Sequence, residues 1–184
     1  MAVQVDNARA KMDKTIESTK ENFAGIRTGR ANPNLLNGIV VSYYGAPTPL
    51  RQMATIGVPE PRTLAVTPYD ASQAAAVEKA IRDSDLGINP SRDGNVIRLT
   101  MPELTEERRK EYVRLAKEEG EKGKVALRSI RRNAREDIEK SLKNDELTED
   151  DRDNLYKQLD DLTKKYSAQI DDLLAAKQKE ILEV

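Results

Sequence analysis

Apolar residues follow three long helical patterns in this chain, and one segment of different character separates the first pattern from the second. In residues 105–143 small and apolar residues recur at intervals of three and four, the spacing of one buried stripe on an α-helix. Residues 1–30 and 148–184 carry similar narrow stripes. Because such a stripe is too narrow for a helix to be stable alone, we predict a three-helix bundle. The stripe of residues 105–143 consists of Ala116, Gly120, Gly123, Leu127, Ile130, Ala134, Ile138 and Ser141.

Capping residues predict where these helices begin and end. Gly25, Gly29 and Pro33 mark the end of the first helix, which places Arg27 and Arg30 in its last turn. Thr105, followed by two glutamates, predicts the start of the second helix, and Thr148 that of the third. The short connection at 144–147 makes these two helices antiparallel neighbours, and the glycines of the second helix predict a close approach between helices.

Residues 31–104 lack the helical period and contain all eight prolines of the chain. Apolar runs predict strands at 38–44, 54–58, 62–67 and 95–99, while residues 86–88 are compatible with a turn or a strand. A short helix begins at Asp70 or Ser72, ends near Ser84, and faces the core through Ala75, Val77, Ala80 and Ile81.

The predicted fold class is therefore α+β: a long three-helix bundle with an inserted small β/α/β domain. The bundle, domain I, comprises residues 1–30 and 105–184, and the inserted domain II comprises residues 31–104. Both crossings between the domains contain proline and few apolar residues, which indicates a hinge. The hinge residues are Arg30, Ala31, Asn32, Pro33, Met101, Pro102, Glu103, Leu104 and Thr105.

The composition excludes several kinds of site. The chain has no Cys and no His, so it offers no disulfide, no thiol nucleophile, and neither the commonest metal ligand nor the commonest general base. The paired aspartates at 160–161 and 171–172 lie on a helix surface crowded with Asp, which favours a solvated face over a metal or acid–base site. We predict a protein that is no enzyme and has no catalytic residues, no metal and no cofactor. The lack of an apolar span or signal-peptide pattern favours the cytoplasm.

Charge is distributed unevenly, although the net charge is only −1. Residues 105–143 carry 13 basic and 9 acidic side chains, while residues 144–184 carry 6 and 12. Around the second helix the cations fall on one flank of the apolar stripe, and only Glu121 interrupts them. The flank is formed by Lys110, Arg114, Lys117, Lys124, Arg128, Arg131, Arg132 and Arg135.

Two interpretations of this flank stay open. The guanidinium group matches phosphate in a bidentate manner, and a helix without stacking aromatic residues reads the charge and shape of a nucleic-acid backbone. Alternatively, the flank is a solvated basic face that pairs with the acidic third helix. Arg27 and Arg30 likewise have a purely structural explanation, because cations are favoured near the end of a helix.

Five separate motifs occur in order along the chain: Arg27-Thr28-Gly29-Arg30-Ala31-Asn32-Pro33, Tyr43-Tyr44-Gly45-Ala46-Pro47-Thr48-Pro49-Leu50, Leu86-Gly87-Ile88-Asn89-Pro90, Leu104-Thr105-Glu106-Glu107-Arg108-Arg109-Lys110 and Arg128-Ser129-Ile130-Arg131-Arg132. Together they resemble the motifs of bacterial ribosome recycling factor. Asn32 stands where many members of that family carry Ser.

The resemblance implies an L-shaped, hinge-linked protein that binds the large ribosomal subunit, through 23S ribosomal RNA, after translation termination. It implies a monomer that acts with elongation factor G, whose GTP hydrolysis drives splitting of the post-termination complex, and no membrane or DNA partner. The ribosomal RNA contacts that it implies are Arg131 first, with Arg128 and Arg132, then Arg27, Arg30 and Arg109. The alternative function is a structural coiled-coil adaptor that binds a protein partner.

Overall fold

The computed structural model describes residues 2–183. By internal packing the chain divides into two compact units. Unit 1 contains the residues up to Ile26 and Lys110–Lys179, and unit 2 contains Arg27–Arg109 and the residues from Glu180 onward. The elements in chain order are α1 (Val3–Ala24), β1 (Val40–Tyr43), β2 (Ala46–Pro49), α2 (Leu50–Met53), β3 (Ala54–Glu60), β4 (Thr63–Pro68), α3 (Ala74–Arg82), β5 (Ser91–Asp93), β6 (Val96–Thr100), α4 (Glu106–Lys143) and α5 (Glu149–Leu182).

The long helices begin where the capping residues predict. The Thr105 hydroxyl accepts a hydrogen bond from the Arg108 amide at 3.2 Å, which caps α4. At the start of α5 the Thr148 hydroxyl accepts from the Asp151 amide at 3.1 Å, and the Asp151 carboxylate accepts from the Thr148 amide at 3.0 Å. These hydrogen bonds lower the pKa of Asp151, because they favour its charged form.

The end of α1 differs from the prediction. The helix stops at Ala24, so Arg27 and Arg30 follow it and do not lie in its last turn. Gly25 forms the C-terminal cap, and its amide donates to the Glu21 carbonyl. Because Gly25 and Gly29 both have low helix propensity, the backbone leaves the helix before the prolines force it to do so.

Unit 1 has one continuous core to which α1, α4 and α5 all contribute. The predicted stripe of α4 is buried at every position except Ile130, which is half-buried and packs against both parts of the core. One part contains Val5, Ala8, Ala134, Ile138, Leu155 and Leu159; the other contains Met12, Ile16, Leu127, Tyr166 and Ile170.

Tyr166 brings a polar group into this core. Its hydroxyl donates a 2.5 Å hydrogen bond to the Asp13 carboxylate of α1. Burial, together with this hydrogen bond and the negative charge of Asp13, raises the pKa of Tyr166 to about 12. The Tyr166 hydroxyl therefore stays protonated, and its hydrogen bond links α5 to α1. Without Asp13 this buried hydroxyl would be a donor with no acceptor.

Unit 2 contains an antiparallel four-stranded sheet in the order β3-β4-β6-β5 and a separate β1-β2 hairpin. Leu64 pairs with Leu99 and Val66 with Ile97, and all four are fully buried. Helix α3 contributes Ala74, Val77 and Ile81 to this core, whereas Ala75, which was predicted to face inward, is exposed. The predicted fold class, a helical bundle with a small sheet domain, is confirmed.

Two strands were not predicted. β2 contains Pro47 and Pro49, yet it pairs with β1 because Tyr44 and Gly45 both adopt positive φ, 48° and 82°, and turn the chain back sharply. Proline is tolerated here because β2 pairs only with β1. β5 is a fully exposed polar strand, and residues 86–88 are not part of a strand.

The close approach predicted at the glycines of α4 is confirmed at Gly123. A Cβ atom there would lie 2.8 Å from the Thr19 hydroxyl oxygen and 2.9 Å from Cδ1 of Ile170. At Gly120 the nearest atom would be at 3.5 Å, an ordinary van der Waals contact. We therefore expect that Gly123, and not Gly120, sets the separation of the helices at this level of the bundle.

We predict opposite effects of the same substitution at these two glycines. Gly120→Ala should raise the free energy of unfolding by up to about 1 kcal/mol, since alanine favours the helix. Gly123→Ala should lower it by about 1–2 kcal/mol, because the clash with Thr19 and Ile170 exceeds that gain. Urea unfolding followed by far-ultraviolet circular dichroism measures both; stabilisation by Gly123→Ala would contradict the close-packing argument.

Candidate RNA-binding surface

Four arginines of α4 lie around one shallow depression that also includes Val125 and Ser129. We call this group the arginine surface; its members are Arg128, Arg131, Arg132 and Arg135. The residues are spaced by one, three and four positions, so the helix presents them on one flank of its buried stripe. This is the densest part of the predicted cationic flank.

The four arginines differ in how firmly other residues hold them. Arg135 Nη2 lies 2.9 Å and 3.1 Å from the two carboxylate oxygens of Asp160 on α5. Its guanidinium carbon lies 4.6 Å from the centre of the Tyr156 ring, and its Nε is buried without a hydrogen-bond partner in the described part of the chain. Arg135 is thus fixed between a carboxylate and an aromatic face.

Arg131 and Arg128 are held more loosely. Arg131 Nη1 is 3.6 Å from Asp160 Oδ1, beyond hydrogen-bond length, and its side chain is 38% exposed. Arg128 forms an ion pair of 3.1 Å with Glu121 of its own helix, and its side chain is 56% exposed. Surface pairs of this kind contribute little to stability, so both guanidinium groups remain available to a partner.

Arg132 is exposed and forms no ion pair or hydrogen bond with any residue in 2–183. It lines the depression described above and a second one that also contains Glu136, Lys140 and Tyr156. An uncompensated guanidinium between two depressions offers five donors to an anion.

The cationic flank is partly paired with α5 and partly exposed. The acidic third helix does pair with it, through Asp160 to Arg131 and Arg135 and through Asp171 to Lys124 at 2.5 Å. The exposed parts of Arg128, Arg131 and Arg132 nevertheless remain directed to one shared surface. The arrangement can bind phosphate groups, and among residues 2–183 no group of acidic side chains could hold a metal ion.

The other arginines predicted from the resemblance belong to unit 2. Arg27 donates to the Asp85 carbonyl at 3.5 Å, and Arg30 pairs with Glu183 at 3.4 Å. Arg109 is half-buried in the first turn of α4, and its Nε has no hydrogen-bond partner among the residues described. The structure therefore groups Arg128, Arg131 and Arg132 in one surface and leaves these three in the other unit.

Sequence reasoning missed Tyr156 and the specific role of Asp160. Tyr156 is half-buried and donates a 2.5 Å hydrogen bond to Glu139; burial, then this bond, raise its pKa. A signal was present, because Arg131 and Asp160 lie about equally far along the chain from the loop between α4 and α5. In an antiparallel hairpin such positions face each other, and the same holds for Arg135 and Tyr156.

We predict that Arg135 stabilises the bundle and that Arg132 does not. Arg135→Ala should lower the free energy of unfolding by about 1 kcal/mol, because it removes the contacts to Asp160 and Tyr156. Arg132→Ala, a matched change on the same helix, should alter it by less than about 0.5 kcal/mol. Urea unfolding compares the two variants, and equal effects would show that Arg135 has no anchoring role.

Comparison with known proteins places this geometry in context. A family model described as Ribosome recycling factor matches residues 19–182. The chain is 68% identical over 184 residues to the ribosome-recycling factor of Bifidobacterium adolescentis, with complete coverage of both chains. It is 55% identical over 177 residues to that of Streptomyces coelicolor, with 96% of each chain covered.

Two solved structures extend the similarity to the fold. The solution structure of a ribosome recycling factor matches with a TM-score of 0.78 and 40% identity and covers all of both chains. The T. thermophilus ribosome recycling factor matches with a TM-score of 0.67 and 45% identity over 97% of each chain. That protein is described together with E. coli elongation factor G, bound to the E. coli post-termination complex.

Proposed function

The chain belongs to the ribosome recycling factor family, and we propose that the arginine surface of α4 is where it binds ribosomal RNA. The function of the chain is ribosome recycling after translation termination, and its partners are the ribosome and elongation factor G. Membership of this family favours a translation factor over the structural coiled-coil adaptor, the alternative function that the sequence left open.

The observation that carries the RNA-binding proposal is the grouping of exposed arginines around one depression. Arg131, Arg128 and Arg132 offer guanidinium groups from a rigid helix, and the surface lacks exposed aromatic rings for base stacking. Such a surface recognises the phosphate backbone and the shape of folded RNA. The RNA is the 23S ribosomal RNA of the large subunit in this proposal, and Arg27, Arg30 and Arg109 are secondary contacts.

The chain acts mechanically in this proposal and is no enzyme. GTP hydrolysis by elongation factor G supplies the free energy for subunit splitting, while the recycling factor holds the large subunit. The acidic side chains of α5 support this interpretation, because Asp160 and Asp171 are occupied by cations of α4. In this proposal the protein is a monomer and acts in the cytoplasm. No helix within residues 2–183 carries an apolar stretch long enough to span a bilayer.

The predicted domain limits and hinge are part of the same proposal. Backbone hydrogen bonds tie Ala31 to Pro61 and Met101 to Arg62, and Met101 is buried in the core of unit 2. Arg62 also donates to the Met101 carbonyl at 2.7 Å. Within the predicted hinge residues, we therefore propose that the bending bonds lie outside these anchors, near Arg30 and at Pro102 and Leu104. Glu103 also pairs with Arg62 at 3.0 Å, and Thr105 caps α4.

We predict that Arg131→Ala abolishes subunit splitting and leaves the fold intact. The fold should persist because the side chain is 38% exposed and its one ion pair is longer than a hydrogen bond. Splitting of post-termination complexes with elongation factor G and GTP, followed by light scattering, measures the effect. Lys157→Ala, which removes one exposed cation from α5, is the control and should retain activity. A wild-type splitting rate for Arg131→Ala would refute the role of Arg131.

We also predict that stiffening the first crossing impairs splitting more than binding. Thr28→Pro fixes one backbone dihedral next to Arg30. Thr28→Ala is the matched control, since it removes the same hydroxyl, which accepts from the Arg30 amide at 3.2 Å, without fixing the backbone. Both variants should bind large subunits equally in a pelleting assay, and only Thr28→Pro should split complexes slowly. Equal loss of binding and splitting would argue against interdomain motion as the driving step.

A further inference from the structure

Asp160 is the acidic residue of α5 that faces the arginine surface directly. One of its oxygens lies 2.9 Å from Arg135 Nη2 and 3.6 Å from Arg131 Nη1, so a single carboxylate serves two arginines one helical turn apart. Its side chain is 48% exposed, so the pair remains in contact with solvent. The carboxylate thus contacts two of the four arginines that line the depression.

The two contacts differ in kind. Arg135 is anchored by two hydrogen bonds and by the Tyr156 ring, so residues of the chain itself fix its orientation. Arg131 makes no hydrogen bond to Asp160, so the carboxylate orients it only weakly. Asp160 therefore affects Arg131 mainly through its negative charge.

A carboxylate and a phosphate oxygen compete for the same donors of a guanidinium group. A phosphate that binds Arg131 also experiences repulsion from Asp160, which lies next to that arginine. Near a solvated surface this repulsion weakens binding by a factor of about two to ten. Asp160 also orients Arg131, but at 3.6 Å this favourable contribution is smaller than the repulsion and the competition. The net effect of Asp160 is therefore to weaken phosphate binding.

We propose that Asp160 is a built-in competitor for RNA phosphate that limits how tightly the arginine surface binds ribosomal RNA. The inference rests on the proposed function, because it requires the arginine surface to be the RNA contact. Asp160 acts through Arg131 and Arg135 and is a positioning and affinity-setting residue. The expected consequence is faster release of RNA, since the negative charge of Asp160 weakens the contact between a phosphate and Arg131.

Asp160→Asn tests the inference, with Asp161→Asn as the matched control. Asp161 is exposed on the same helix and has no ion pair in the described range of the chain, so both variants lose one negative charge and only one changes the arginine surface. We expect Asp160→Asn to bind purified large ribosomal subunits about three- to tenfold more tightly. Asp161→Asn should change the dissociation constant by less than about twofold, because its charge is screened.

The salt dependence separates competition from a merely structural effect. The slope of log affinity against log salt concentration should become steeper in Asp160→Asn, by the equivalent of about one additional phosphate contact. The slope should be unchanged in Asp161→Asn. In an Arg131→Ala background the gain in affinity from Asp160→Asn should be reduced. Circular dichroism and thermal unfolding confirm that the variants are folded, and Asp160→Ala, which lacks the amide, should bind at least as tightly as Asp160→Asn.

One outcome overturns the inference alone, and a different outcome overturns the RNA-binding proposal on which it rests. If Asp160→Asn binds no more tightly than Asp161→Asn, or more weakly, Asp160 orients the arginines and does not compete. If wild-type binding is insensitive to both salt and Arg131→Ala, the arginine surface is not the RNA contact and the proposed function itself fails.

Discussion

The antiparallel packing of α4 against α5 determines which charges meet in this protein. A single connection of five residues fixes the register between the two helices, and this register places Asp160 opposite Arg131 and Arg135. The same register brings Leu127 and Ile170 into the common core with α1. Charge pairing and apolar packing are therefore two results of one constraint, and the cationic flank cannot be understood without its acidic neighbour.

The buried side of the long helices could be predicted from the sequence with few errors. In α4 the small and apolar residues recur with the helical period, and from Ala116 to Ser141 the structure buries all of them except the half-buried Ile130. This works because a solvated helix in a bundle has one apolar stripe, and burial of that stripe supplies most of its stabilisation. The caps at Thr105 and Thr148 were equally visible, since each depends on residues three positions apart.

The parts that could not be predicted depend on contacts between residues distant in sequence or on unusual backbone angles. β2 was hidden because Tyr44, a residue that rarely adopts positive φ, takes part in the turn. β5 was hidden because all of its side chains are exposed, so it has no apolar alternation. At the candidate site the arginines were visible as a pattern. The pairing of Arg131 and Arg135 with Asp160, in contrast, follows only from the position of α5.

Gly123 places the centre of α4 in close contact with both neighbouring helices. The position of α4 that leaves no room for a Cβ atom lies where the helix has low intrinsic helix propensity, because Gly120 and Gly123 are only three positions apart. The capped start of α4 and the alanine- and arginine-rich segment after Gly123 are the parts of this helix that can become ordered locally. The glycine segment gains order only when Thr19 and Ile170 arrive from the neighbouring helices, so we expect the centre of the bundle to fold last and as one cooperative step.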